Sequence, residues 1–309
     1  MDASRIVLIT DHASDEGSRA VLVTAVRQLT GAAPTLIDAR HFMTGGDGRV
    51  DVVDGVLRLA VPTEDLLVTP SAVLIYEIPP AARRRFESFQ HSLYRHGTAS
   101  LGTDAHAWRL ATQKNLTVDR FTRDGVRQMP TISLSRPTRR ETLDAFERLA
   151  KDVWARPTIG MGGSDVFHVT TEAQLHAAAR FYATADLDWL VARDADNVNT
   201  AGLRHQFRVV VLQGRVVRAC EHVQADPDAP CNEGQGATST VLEVDDLPAG
   251  LAELAVRATK SMGLPFAGVD VASENDGVVF EVNVHPMFGA QGGLDSVAIP
   301  YVQAHLAMA

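Results

Sequence analysis

Three polar residues near the carboxyl end of the sequence have the types and spacing of a magnesium site. They lie in two alternating runs, FAGVDVA and VVFEVNV, and between the runs stands Asp276-Gly277, a dipeptide typical of two-residue hairpin turns. With this dipeptide at the centre of the turn, Asp270 is predicted to face Asn283, and Ala272 to face Glu281. Facing residues and residues two apart point to one side of a hairpin, so Asp270, Glu281 and Asn283 are expected on one face. Two carboxylates and an amide oxygen suit Mg²⁺, which takes its remaining ligands from water and phosphate.

A second interpretation of the hairpin stays open, because an amphipathic hairpin with a solvated acidic face has the same pattern. Its other face carries apolar residues that can enter a core, namely Val269, Val271, Phe280, Val282 and Val284. The register tests the metal interpretation, since a three-residue turn shifts the pairing by one residue and puts Asp270 on the wrong face.

The composition is that of a folded chain without a polyanionic partner. The 309 residues suggest two or three domains at the usual ~100–200 residues each. Hydrophobic residues make up 45% and charged residues 22%, which excludes an intrinsically disordered chain. Acidic residues outnumber basic ones, 38 against 29, for a net charge of −9, whereas proteins that bind nucleic-acid backbones are usually basic. We therefore expect no nucleic-acid partner.

The sequence shows neither a secretory signal nor a membrane span. The start, MDASRIVLITDH, has only a short apolar run, which fits a first strand, and no run reaches the ~18 apolar residues of a membrane helix. The two cysteines, Cys220 and Cys231, are expected to be reduced thiols. We predict a cytoplasmic protein that does not bind membranes and leave a homo-oligomer open.

The elements that must position the polar residues fall into three predicted domains. Strands at Arg5–Thr10, Thr35–Ala39 and Ala72–Tyr76, a hairpin at Asp54-Gly55 and a helix from Ala81 to about Arg95 predict a small α/β domain with a largely parallel sheet. A single helix is expected to carry Ala107, Leu110, Ala111 and Leu116. Helices and strands then mix around a glycine-rich turn, and the chain becomes strand-rich near residue 190. The predicted domains cover residues 1–100, 101–190 and 191–309.

The hairpin and the residues after it, VVFEVNVHPMFG, resemble the C-terminal signature of the ATP-grasp superfamily. The similarity is greatest to carboxylate-amine ligases related to D-alanine-D-alanine ligase and to the glutamate-adding enzymes. It implies an α/β and α+β architecture, with an N-terminal Rossmann-like domain followed by two ATP-grasp subdomains. It also implies ATP and Mg²⁺, or Mn²⁺ in its place, as cofactors, with Asp270, Glu281 and Asn283 holding the metal ions that bridge the phosphates.

The resemblance further implies nucleotide-binding residues earlier in the chain. Lys114, in ATQKNLTVDRF, resembles the family's first nucleotide-binding lysine, which stands before a helix of the small ATP domain. Arg156, in WARP, stands where the family has its second lysine, and its planar fork is longer and wider than an ammonium group. A glycine-rich turn is by itself usually a plain loop, but its place after this strand matches the family's phosphate lid, whose amides approach phosphate. The residues concerned are Gly160, Gly162, Gly163 and Ser164.

Looser matches add candidates for ribose and for the transferred phosphate. Asp194, after the strand WLVAR, stands where the family's ribose contact is implied. Arg208 matches the arginine of the family's Asp-x-Arg strand, with Gln206 in the aspartate position, and is implied to contact the γ-phosphate or an acyl phosphate. A lone strand arginine is otherwise usually a solvated charge.

Candidates for the acceptor side follow the hairpin. His285 lies two residues after Asn283 and is expected to orient substrate or relay a proton, or else to cap the strand before Pro286. The acceptor pocket is expected beside the tail Phe288–Gly293. Arg204 and Arg218 are candidates for binding substrate carboxylates.

The function that the resemblance implies is an ATP- and Mg-dependent ligase. It would join a carboxylate, activated as an acyl phosphate, to an amine of a small molecule, amino acid or peptide, as in natural-product biosynthesis. An alternative is a non-catalytic ATP-binding regulatory or partner protein, which the departures at Arg156 and Gln206 keep open. A dinucleotide oxidoreductase is disfavoured, because Asp11-His12-Ala13 follows the first strand where a Gly-x-Gly-x-x-Gly turn belongs.

Overall fold

The computed structural model describes residues 6–98, 100–288 and 292–308, and these residues form two compact units. The first unit contains the chain up to Arg109, Leu264–Ala267 and the chain from Val284 onward. The second contains Leu110–Gly263 and Gly268–Asn283. Two earlier expectations fall outside the described residues: Arg5 of the first strand, and residues 289–291 of the acceptor tail.

Strands and helices alternate through most of the chain. The strands are β1 (Ile6–Thr10), β2 (Thr35–Asp38), β3 (Arg49–Val53), β4 (Val56–Val61), β5 (Leu66–Val68), β6 (Ala72–Tyr76), β7 (Thr131–Leu134), β8 (Val153–Pro157), β9 (Phe167–Val169), β10 (Trp189–Arg193), β11 (Arg204–Leu212), β12 (Arg215–Gln224), β13 (Thr238–Leu242), β14 (Phe266–Ala272) and β15 (Val278–Asn283). The helices are α1 (Ser18–Thr30), α2 (Pro80–Arg95), α3 (Ala105–Thr112), α4 (Lys114–Asp124), α5 (Arg139–Arg148), α6 (Glu172–Thr184), α7 (Leu251–Met262) and α8 (Ile299–Leu306). Short 3₁₀ turns lie at Ala39–Phe42, Pro62–Glu64, Glu233–Gln235 and Val244–Asp246, and a π-turn at Leu294–Ala298 precedes α8.

The first unit is built on a parallel sheet, as predicted. Its strand order is β2-β1-β6, and every residue of β1 and β6 is buried, which explains their unbroken apolar runs. The strands β3, β4 and β5, which come between β2 and β6 in the sequence, form a separate small antiparallel sheet. The predicted hairpin at Asp54-Gly55 is confirmed: Val53 pairs with Val56, and both turn residues have the positive φ, 54° and 78°, that a type I′ turn requires.

The second unit contains two antiparallel sheets. One has the order β7-β10-β8-β9 and packs on α5 and α6 through a core that includes Phe146, Tyr182 and Trp189. The other has the order β13-β12-β11-β14-β15. The first two residues of β14, Phe266 and Ala267, are assigned to the first unit. Mixed α/β and α+β architecture is confirmed. The division into three domains stays a prediction, and it differs from the two units in giving the residues after Val284 to the strand-rich domain.

The helix predicted through residues 107–116 was wrong in one respect, because it is broken at Gln113. The backbone of Gln113 is extended, with φ −93° and ψ 102°, so α3 ends before it and α4 begins at Lys114. The Lys114 N–H donates to the carbonyl of Thr158 at 3.0 Å. The break therefore places Lys114 beside the end of β8.

Two further features bear on the sequence predictions. No helix in the described ranges is long and apolar enough to cross a membrane. Both cysteines are free and buried, as expected. Cytoplasmic location stays a prediction.

Candidate functional site

The register of the β14–β15 hairpin differs from the predicted one. Asp270 pairs with Glu281, and Asn283 pairs with Gly268, so the predicted pairing of Asp270 with Asn283 was wrong. The strands are joined by a five-residue loop, since Ala272 pairs with Val278, and Gly277 N–H bonds back to the carbonyls of residues 273 and 274. This longer loop shifts the pairing by an odd number of residues. A bulge between Asp270 and Val271 moves the pairing back by one residue, so the remaining shift is even and the three polar residues keep the predicted common face.

The three predicted metal ligands therefore do share one face. Asp270 and Glu281 are directly opposite, and Asn283 lies two residues beyond Glu281. Asn283 Nδ2 donates to Asp270 Oδ2 at 3.2 Å. The donor set consists of carboxylate and amide oxygens in one cavity, which fits Mg²⁺ or Mn²⁺ and no soft metal.

Both carboxylates of the proposed metal site form an ion pair with a basic side chain. Arg208, from β11, donates from Nε and Nη2 to the two oxygens of Asp270 at 2.6 and 2.8 Å. Lys114 Nζ lies 3.0 Å from Glu281 Oε1 and donates to the carbonyl of Gly160 at 3.3 Å. Burial lowers the pKa of Arg208, but the Asp270 carboxylate more than offsets this, and the pKa lies above its ordinary value.

Arg156 is a half-buried cation with one buried donor left unpaired. It lies on β8, donates from Nη1 to the carbonyl of Phe280 at 3.1 Å, and lines the same cavity. Its Nε is buried without a partner among the described residues. Burial lowers the pKa of Arg156, and the carboxylates of Glu281 and Asp270 act in the opposite direction. A buried guanidinium with an unmet donor is stabilised by an anionic ligand, and the planar fork suits phosphate.

The glycine-rich loop joins β8 to β9 and packs on a second loop. Gly162 and Gly163 have φ of 65° and 72°, the left-handed region that glycine adopts without strain. A Cβ on Gly163 would lie 2.9 Å from Gln235 and 3.0 Å from Pro230. Gln235 Nε2 also donates to the carbonyl of Gly162 at 3.3 Å. The loop at residues 230–236 thus holds the glycine-rich loop by close contact.

Asp194 is held by two side chains that sequence reasoning did not connect with it. Trp154 Nε1 donates to Asp194 Oδ2 at 2.6 Å, and Arg204 Nη1 lies 2.9 Å from the same oxygen. Arg204 also stacks over the Trp154 ring at 4.9 Å and bonds Asn197 and the carbonyl of Pro227. These contacts occupy Arg204, which was a candidate for substrate carboxylates. The ribose role of Asp194 stays a prediction.

Gln206, at the family's aspartate position, has a positioning contact. Its Nε2 donates to the carbonyl of Cys231 at 2.8 Å, and Gln224 Nε2 donates to the carbonyls of Pro230 and Gln235 at 3.3 and 2.9 Å. Both amides come from the site face of the sheet. They fix the loop that contacts Gly163, a role that could be found in the sequence only from the long-range fold.

One cavity of the second unit brings most of the predicted residues together. Its lining includes Lys114, Arg156, Gly160, Gly162, Gly163, Ser164, Arg208, Asp270, Glu281 and Asn283. Apolar side chains, among them Met129, Ala192 and Phe280, complete the wall. The cavity combines cationic side chains and carboxylate and amide oxygens with an apolar wall.

His285 lies in the first unit, apart from the residues that line this cavity. Its ring packs against Trp108 and Tyr76 at centroid distances of 4.8 and 4.7 Å, and Nδ1 accepts the Ile78 N–H at 3.4 Å. Burial, assisted by Arg83, lowers the pKa of His285 well below its usual range. The neutral ring therefore carries its proton on Nε2 and can act as a hydrogen-bond donor. Its catalytic role stays a prediction.

Part of the chain is similar in sequence to known proteins. Residues 159–293 match the model of the RimK-like ATP-grasp domain. A probable alpha-L-glutamate ligase of Haemophilus ducreyi is 36% identical over 92 residues, which are 29% of this chain and 27% of that protein. A second, from Haemophilus influenzae, is 34% identical over 116 residues, or 35% of this chain and 37% of that protein. The matched segment thus spans about a third of these curated relatives or less.

Solved structures resemble the whole chain. The ATP-grasp ligase PsnB, complexed with a minimal precursor, superposes with a TM-score of 0.69 at 17% identity, covering 99% of this chain and 100% of PsnB. D-alanyl-alanine synthetase A from Vibrio cholerae superposes with a TM-score of 0.69 at 16% identity, covering 100% and 99%. At these identities the likeness concerns the fold. Residues 159–293 are thus similar to the RimK-like ATP-grasp domain, and over its length the chain has the fold of these ATP-grasp ligases.

Proposed function

We propose that the protein is an ATP- and Mg-dependent ligase that joins a carboxylate to an amine and releases ADP and phosphate. The observation that carries the proposal is the cavity itself. It places Arg156, whose buried Nε has no partner among the described residues, in one cavity with Lys114, Arg208 and an all-oxygen metal set. No single one of these features requires a nucleoside triphosphate, but a triphosphate with its metal ions satisfies all of them.

The chemistry needs positioned charge rather than a protein nucleophile. In the first step a carboxylate oxygen of the substrate bonds to the γ-phosphorus, and the bond to ADP breaks. In the second step the amine nitrogen bonds to the acyl carbon, phosphate leaves with the electrons of the C–O bond, and the nitrogen loses a proton. Lys114, Arg156 and the amides of the glycine-rich loop would hold the triphosphate in line for the first step.

Arg208 would stabilise the phosphoryl group during transfer. Its guanidinium is already hydrogen-bonded to Asp270, one of the proposed metal ligands, and its forked geometry suits phosphate oxygens. When bound, magnesium ions held by Asp270, Glu281 and Asn283 neutralise charge on the phosphates. Each such positioned donor is worth roughly 3 kcal/mol in comparable transition states.

The proposed substrates are a small acid, an amino acid or a peptide as the carboxylate, and an amine of the same classes. The names of the relatives support this range, since they include probable alpha-L-glutamate ligases, a D-alanyl-alanine synthetase and a ligase complexed with a precursor peptide. A role in natural-product biosynthesis belongs to the same proposal.

An ADP-release screen tests the function. Pairs of acids and amines are offered with Mg-ATP, and hydroxylamine replaces the amine in parallel reactions to capture an acyl phosphate as a hydroxamate. We expect ADP, not AMP, and a signal that needs both Mg²⁺ and an acid. Asp270→Asn is the inactive control. Stabilisation by Mg-ATP with no ADP release across the panel would favour the non-catalytic ATP-binding alternative.

A further inference from the structure

The cations of the cavity are already paired with the carboxylates proposed to hold the metal ions. Lys114 Nζ lies 3.0 Å from Glu281, and Arg208 forms two bonds to Asp270 at 2.6 and 2.8 Å. The pairs are partly shielded from water, with side-chain exposures of 9% for Lys114 and 25% for Glu281, and of 19% for Arg208 and 8% for Asp270. Shielded pairs are weakly screened by salt, and loss of one partner leaves a costly unpaired charge.

We infer that these two ion pairs make a nucleoside triphosphate and its divalent ions bind as one unit, each being rejected without the other; this rests on the proposed function. A triphosphate alone must draw Lys114 and Arg208 away and leave Asp270 and Glu281 unpaired beside its own negative charge. A divalent ion alone must draw the carboxylates away and leave two cations unpaired beside it. When both arrive, every member of both pairs gains a partner of opposite charge.

The charge balance of the cavity supports this coupling. Lys114 and Arg208 are balanced by Glu281 and Asp270, whereas Arg156 has no carboxylate within salt-bridge distance among the described residues; Arg193 and Arg204 also line the cavity, so its lining is positive overall. The charges of a triphosphate and two divalent ions nearly cancel, so the loaded cavity keeps this balance. Either ligand alone shifts it by several charges in a poorly solvated site, where each uncompensated charge is costly.

The coupling has a reciprocal signature. Metal must raise the affinity for nucleotide by the same factor by which nucleotide raises the affinity for metal, after correction for their association in solution. The two ion pairs predict one effect that this reciprocity alone does not. Removing a carboxylate that holds a cation should free that cation for a metal-free triphosphate.

Titration calorimetry with the non-hydrolysable analogue AMPPNP, in Mg²⁺ or in EDTA, tests the inference. Wild-type protein should bind at least about 100-fold more tightly with Mg²⁺. In Glu281→Gln, which frees Lys114, the metal-free affinity should rise about tenfold while the affinity in Mg²⁺ falls. Glu233→Gln is the matched control, because Glu233 is an exposed acid whose charge reaches Arg208 without a salt bridge in the described part of the chain. It should change the metal-free affinity less than about twofold, since an exposed charge is screened.

The possible results separate the inference from the function on which it rests. If Glu281→Gln gains no more metal-free affinity than Glu233→Gln, the inference is overturned, while binding of Mg-AMPPNP by the wild type leaves the function standing. If the wild type does not bind Mg-AMPPNP, the function fails first and the inference with it. If Glu281→Gln does not fold, thermal unfolding of the wild type decides. Mg²⁺ and AMPPNP together should raise the midpoint by more than the sum of their separate effects, and equal sums would overturn the inference.

Discussion

The guanidinium of Arg208 meets the carboxylate of Asp270 through two parallel bonds, across the neighbouring strands β11 and β14. Two bonds fix the relative plane of both groups, which a single contact would not do. The side chains are 19% and 8% exposed, so solvent screens the pair little. Arg208 and Asp270 therefore hold each other in fixed orientations, as the proposed phosphoryl and metal contacts require.

Asp270→Asn should lower both stability and activity. Arg208 would keep its charge and lose the carboxylate that compensates it, which costs about 3 kcal/mol when a buried pair is broken. Mg-dependent ADP release should fall by at least about 100-fold. Urea unfolding and the ADP assay measure the two effects. Asp276→Asn is the control, because residue 276 is exposed in the hairpin loop and asparagine tolerates its φ of 60°. Similar losses in both variants would contradict the assignment of Asp270.

Arg156→Lys should retain most nucleotide binding, and Arg156→Met should lose it. Lysine keeps a positive charge but lacks the planar guanidinium that bonds the Phe280 carbonyl from Nη1, so we expect a loss of roughly three- to tenfold in AMPPNP affinity. Methionine has similar bulk and no charge, and the expected loss is about 100-fold or more. The comparison is made by calorimetry in Mg²⁺. Equal affinities for wild type and Arg156→Met would show that this buried cation does not contact the phosphates.

Gly163→Ala should weaken nucleotide binding more than Gly162→Ala. Both glycines have positive φ, so both alanine substitutions carry about 1–2 kcal/mol of backbone strain. Only Gly163 adds a clash, with Gln235 and Pro230, whereas a Cβ on Gly162 meets open space. We expect about a tenfold loss of AMPPNP affinity for Gly163→Ala and less than about threefold for Gly162→Ala. Hydrogen exchange of the loop amides provides an independent measurement of its displacement from residues 230–236.

The first unit should lose stability as the pH falls from 6.5 towards 4. His305 donates from Nδ1 to the Tyr301 carbonyl and accepts the Leu101 N–H at Nε2, so its neutral form is fully bonded. Burial lowers the pKa of His305 from 6.5 to about 4. The unfolded chain therefore binds more protons in this range, and the free energy of unfolding declines with falling pH, by about 3 kcal/mol in total.

The lowered pKa of His285 adds to the same trend. Unfolding free energies measured between pH 4 and pH 7 should show this slope, which His305→Gln should reduce. His91→Gln, at an exposed position of α2, should leave it unchanged. A slope that persists fully in His305→Gln would exclude His305 as its source.

The sequence predicted the elements better than the contacts between them. Short apolar runs separated by helical patterns were enough for the parallel sheet of β1, β2 and β6, because unbroken apolar runs are typical of strands buried on both faces. The break at Gln113 was not predictable, since its cause is a bond from Lys114 to Thr158, far away in the sequence. The contact of Trp154 with Asp194 is equally long-range. The face shared by the three metal-type ligands was predicted from a wrong turn, and it holds because the loop and the bulge shift the register in compensating ways.

The bulge between Asp270 and Val271 limits how the hairpin loop can vary in length. A deletion of one residue from loop 273–277 would turn Glu281 and Asn283 towards the core and bring Val282 to the cavity, unless the bulge disappeared with it. Deletions of two residues would preserve the facing. Viable length variants of this hairpin should therefore differ by pairs of residues, or should gain and lose the bulge together with a single residue.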